Sequence, residues 1–114
     1  MATAVLPVTT LLDEIQYGFG LSSSELGRLF GVSRQAVEQW RARGIPTARQ
    51  EKAATVAAIA DLLSHQLKPE RLPGIARRRA PAYGGRTMLQ MIERDYHREL
   101  LERVRDSFDW ATAA

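Results

Sequence analysis

The chain has 114 residues, 45% hydrophobic and 25% charged, with a formal net charge of +3 and no cysteine. That length supports one core, or two small helical units sharing one, and the absence of cysteine excludes a disulfide framework and any thiolate metal site. No apolar stretch approaches the roughly 20 residues of a membrane span, and the N-terminus lacks the basic start of a signal peptide, so a cytoplasmic, nucleoid-associated protein with no membrane contact is expected.

Strand signals are missing: no segment alternates β-branched and polar residues. Helix starts and stops are frequent, and they predict an all-α fold. Thr9 or Thr10 can cap a first helix over Leu11 to Tyr17, ended by Gly18 and Gly20. Ser22 or Ser23 can cap a second from Ser24 to Phe30, ended by Gly31, and Ser33 a third from Arg34 to Arg43, ended by Gly44. Pro46 then breaks the chain, because proline disfavours helix at the residue before it. Thr47 opens a long fourth helix reaching Leu67. Its apolar stripe (Ala53, Val56, Ala57, Ala60, Leu63, Leu67, with Ala54, Ala58, Ile59 and Leu62 beside it) is wider than one-sided burial needs. The fourth helix should therefore pack on the first three and also on the C-terminal part or a second subunit. Residues 69–86, rich in proline and glycine, read as a structured connection with turns. Within it Gly84-Gly85 should adopt positive φ, and Thr87 should cap a short helix marked by Met88 to Ile92. A longer amphipathic helix follows, marked by Tyr96, Leu100, Leu101, Val104 and Phe108. Trp110 is expected to dock on the fold or on a partner.

Positive charge is clustered. Residues 21–52 hold six bases against three acids, and residues 68–86 hold six bases against Glu70 alone. Clustering of this kind attracts a polyanion.

The segment SSELGRLFGVSRQAVEQWRA fits one template over its whole length. Two helices meeting steeply with almost no linker require a small residue at the crossing, a permissive residue in the turn and apolar locks on one side. Gly27, Gly31 and the set Leu26, Phe30, Val32, Val37 and Trp40 supply them. Outward, the second helix of the pair presents Arg34, Gln35, Glu38 and Gln39, side chains whose donors and acceptors match base edges. Ser33 caps and contacts phosphate, Ser24 is a second backbone anchor at a helix start, and Arg41, Arg43 and Arg49 neutralise phosphates. Arg77, Arg78 and Arg79 form a basic run that is either a solvated turn, a DNA backbone or minor-groove contact, or a contact with an acidic protein.

LSSSELGRLFGVSRQAVEQWRARGIP resembles the DNA-binding unit of Xre/Cro-like helix-turn-helix regulators, including its Trp40, Gly44, Pro46 ending, and the resemblance covers residues 9–65. Residues 80–104, with the turn Tyr83-Gly84-Gly85-Arg86-Thr87, are similar to the toxin-binding domain of Xre/MbcA/ParS antitoxins, with Met88 where that family usually has proline. This second resemblance implies a dimeric antitoxin that represses its own operon and blocks a toxin through residues 83–110.

No nucleophile–base constellation is present, and His65 and His97 read as helix-surface or boundary residues without metal-ligand spacing, so neither an enzyme, nor a cofactor, nor a metal is expected. The expected organisation is a helix-turn-helix domain at 1–67 and a small C-terminal helical dimerisation or partner-binding domain at 68–114. The expected function is sequence-specific binding of double-stranded DNA by a homodimeric repressor. The rivals are the antitoxin and an architectural protein with little sequence preference.

Overall fold

The computed structural model describes residues 8–113, and the side chains of residues 11–108. Among these residues there are seven α-helices and no strand: α1 (Val8–Phe19), α2 (Ser23–Leu29), α3 (Arg34–Arg43), α4 (Thr47–Gln66), α5 (Leu72–Ala76), α6 (Met88–Glu93) and α7 (His97–Ala113). Tight 3-10 turns at Pro69–Arg71 and Pro81–Tyr83 occupy the connection between α4 and α6. No helix among the described residues is long and apolar enough to cross a membrane.

Local chemistry fixes the helix ends. Ser22 accepts from the Glu25 N–H at 3.1 Å while Glu25 reaches back to the Ser22 N–H at 2.9 Å, a reciprocal cap at the start of α2. Ser33 caps α3 through the Ala36 N–H, and Thr87 and Gln90 repeat the reciprocal cap on α6. At the end of α2, Gly31 takes φ +68°, which lets the Val32 N–H return to the Gly27 carbonyl at 3.0 Å and stops the helix. α6 ends in the same geometry, but there Asp95 occupies the left-handed position at φ 65°.

The first helix runs two residues past the predicted Tyr17, to Phe19, because Phe19 completes an inward stripe with Leu12 and Ile15 that is fully buried. Burying side chains of this size stabilises by about 1.5–3 kcal/mol each. α4 lies at the centre, with α1 and α7 packed along it, while α2 packs on α3 and α6. One apolar cluster runs from Leu12 and Phe19 through Leu26, Val37, Trp40, Val56 and Leu63 to Leu72, Ile92, Leu100 and Val104. The two predicted parts, 1–67 and 68–114, therefore share a single core. The inner part of the wide α4 stripe is buried, and its outer edge (Ala54, Ala58, Leu62) stays open or half-buried. The docking expected of Trp110 lies outside the described side chains.

Candidate nucleic-acid interface

The α2–α3 pair is built on one close approach. A Cβ on Gly27 would stand 2.6 Å from the Val32 carbonyl oxygen and 3.1 Å from that of Ser33, so only glycine lets the turn fold back onto α2. The inner faces are locked by Leu26, Val37 and Trp40, with the Phe30 and Trp40 rings edge-to-face at 5.4 Å and 81°. Val32 is only half-buried and packs at the margin of the core.

With Val37 and Trp40 turned inward, the opposite face of α3 is left to solvent. Arg34, Gln35, Glu38, Gln39 and Arg43 are all exposed. Ser24, Arg28, Gly31, Val32, Ser33 and Arg34 line an open groove of about 410 Å³ between α2 and the start of α3. Arg28 belongs to this groove although it was not among the expected site residues. The sequence signal for it was its position one helical turn after Ser24 on the outer face of α2. The Arg28, Arg34 and Arg43 guanidiniums make no hydrogen bond or ion pair among the described residues, so their donors remain available.

Two of the arginines expected at phosphates, Arg41 and Arg49, and Arg77 of the basic run are turned onto the protein. Arg41 donates to Asp13 and to Gln16 of α1. Arg49 donates to the Phe30 carbonyl at the end of α2. Arg77 donates to the Phe19 carbonyl at 2.8 Å, to those of Pro73 and Gly20 at 2.9 and 3.0 Å, and pairs with Glu25 at 3.3 Å. Cations beside the last carbonyls of a helix satisfy acceptors that have no partner within it. Arg77 thus closes α1 and braces α2 while its side chain stays partly exposed. Arg78 and Arg79 are exposed, and Arg79 reaches the Gly85 carbonyl at 3.3 Å. Gly84 and Gly85 take positive φ in the turn before α6, which an isolated bridge between Ala80 and Arg86 closes.

Lys52 ties the C-terminal helices to this pair. Its ammonium is buried, donates to the Leu29 carbonyl at 2.6 Å and to Asp95 at 2.8 Å, and lies 5.4 Å from the Phe30 ring centre. Its hydrogen bond and charge hold the Asp95 carboxyl below the usual carboxylate range. Beside it, Glu51 is held down at about 2, first by the Arg98 hydrogen bond and then by Thr55 and His97. His65 sits on the surface as expected, but His97 does not: it is 7% exposed, with Nε2 3.2 Å from Glu51 and Nδ1 sealed without a partner. It shares the inward stripe of α7 with Leu100 and Val104. Among the described residues no group of three His, Asp or Glu side chains is placed to hold a metal ion. No family model, curated protein or solved structure matches the chain.

Proposed function

We propose that the chain is a sequence-specific DNA-binding protein whose α2–α3 pair is a helix-turn-helix, with α3 read into the major groove, and that it acts as a transcriptional repressor. The carrying observation is the division of α3 into a locked inner face and an outer face of Arg34, Gln35, Glu38 and Gln39 whose polar ends are free. Arginine donors fit the two acceptors of guanine, glutamine fits adenine, and glutamate accepts from cytosine. Arg28 and Arg43 flank that face, exposed and with no ion pair among the described residues, which suits phosphates on either side of a groove. The resemblance of residues 9–65 to Xre/Cro-like regulators supports the same reading.

Selection of bound duplexes from a random pool tests it directly. A defined motif is expected, with Arg34→Ala and Gln35→Ala each losing about 1–3 kcal/mol at particular base positions and little elsewhere. Equal loss on all sequences would instead mark an architectural protein, and no retained duplex at low salt would end the DNA reading.

A further inference from the structure

The outer edge of α4 is flanked by two contiguous grooves. One, of about 270 Å³, is lined by Leu11 and Glu14 of α1 with Ala54, Ala57, Ala58 and Asp61 of α4. The other, of about 350 Å³, is lined by Ala58, Asp61, Leu62 and His65 of α4 with Leu101 and Arg105 of α7. Leu11, Leu62 and Leu101 are only half-buried against the core, so apolar surface continues across all three helices. Along the ridge between the grooves Ala54 and Ala58 leave room for another helix backbone to come close. Charge is divided across this face. The α1 side carries Glu14, whose carboxyl is pushed up by partial burial and by the charge of Asp61; Asp61 lies between the grooves and pairs with His65 at 3.4 Å. The α7 side carries Arg105, exposed and with no ion pair among the described residues. Both grooves include Ala58 and Asp61, so Glu14 and Arg105 flank overlapping stretches of α4 on opposite sides of it.

We infer that this α1–α4–α7 face is the self-association surface of the protein, occupied by a second copy about a two-fold axis running along α4. Such an axis exchanges left and right while keeping level. It lays the Ala54–Ala58 ridge of one copy on that of the other and brings each Arg105 to the Glu14 side of its neighbour. An isologous interface makes every such contact twice. The axis also sends both copies of α3 to the same end of the assembly, because α3 leads directly into the start of α4 through Gly44 to Pro46. For the DNA function proposed above, on which only this last point rests, that is the disposition an inverted-repeat site requires.

Sedimentation equilibrium of the full chain without DNA tests the surface independently of DNA binding. A dimer is expected at tens of micromolar. Ala54→Arg, Glu14→Arg and Arg105→Glu should each raise the self-association Kd at least about tenfold while circular dichroism and melting stay native, since Ala54 and Arg105 are exposed and Glu14 is partly so. Mixing the Glu14→Arg and Arg105→Glu proteins should restore the dimer, because each mixed pair juxtaposes opposite charges at both symmetry-related contacts. A wild-type chain that stays monomeric well above tens of micromolar, a dimer unmoved by all three substitutions, or a mixture that fails to pair would each overturn the inference. If the monomeric variants still protect a single half-site, the DNA reading stands apart from the interface. If the wild-type chain dimerises as expected and binds no duplex, the DNA reading fails alone.

Discussion

Replacing Gly27 by alanine isolates the contact on which the α2–α3 geometry depends. The new methyl carbon would meet the Val32 carbonyl oxygen at 2.6 Å and the Ser33 carbonyl at 3.1 Å, whereas ordinary contact begins near 3.4 Å. Both atoms are backbone, so relief requires the turn to retreat by about 0.8 Å rather than a side chain to rotate. Overpacking of this kind costs about 1–3 kcal/mol or more. Alanine regains up to about 1 kcal/mol of helix propensity over glycine. The clash should win, leaving a net loss of about 1–2 kcal/mol and a midpoint lowered by several degrees. Gly74→Ala is the matched control: it lies within α5, takes no left-handed φ, and a Cβ there meets nothing within 4 Å. That variant should be neutral or slightly more stable. Urea unfolding followed by circular dichroism at 222 nm reads both. Gly27→Ala matching or exceeding the wild type would refute the close-approach argument, and equal losses at the two sites would show that the contact with the turn adds no cost of its own.

Lys52→Met should destabilise by about 1–3 kcal/mol, because it strands the Leu29 carbonyl inside the core. Asp95→Asn, which suits the left-handed position, should cost less than Lys52→Met, since the Asp95 side chain is 75% exposed and the change leaves the Leu29 carbonyl paired; denaturant midpoints that rank the two in reverse order would contradict this. Glu51 is held at about 2 against an ordinary 4.5. A depressed folded value stabilises above the unfolded one and is lost as pH falls through the folded one. The modest stability difference between wild type and Glu51→Gln, measured by urea midpoints from pH 7 downward, should therefore be full above pH 4.5 and fade toward pH 2. A difference that grows on acidification would reverse the assigned sign. Arg77→Ala should lower stability by about 1 kcal/mol yet leave the salt slope of duplex binding intact, whereas a slope reduced by about one ion would place Arg77 on phosphate.

Much of this architecture is written in short-range chemistry. Ser22, Ser33 and Thr87 announce helix starts, Gly31 and Gly44 announce ends, and Gly27 marks the crossing, because each acts within one turn of its own position. Asp95 was not legible as a stop, since it occupies a conformation that glycine usually takes and is held there by Lys52, 43 residues away. The fates of Arg41, Arg49 and Arg77 were equally hidden: their partners lie 28, 19 and 58 residues distant, and a flexible cation leaves no periodic trace of where it will pair. Clustered charge attracts a polyanion, yet Arg49, Lys52 and Arg77 of these clusters donate to carbonyls at helix ends. The burial of His97 was readable, since it precedes Leu100 and Val104 at helical spacing. The exposed face of α3 followed from the inward pattern of Val37 and Trp40 alone.

Lys52, Asp95 and Arg77 together have a practical consequence for anyone cutting the chain. Ending it after Leu67 would remove Asp95 from beside a sunken ammonium and strip α1 of the guanidinium that covers its final carbonyls. Such a fragment would keep every residue of the α2–α3 pair and still lose the struts that hold the pair in shape. Weak binding by the truncated piece would then report a loosened scaffold rather than missing contacts.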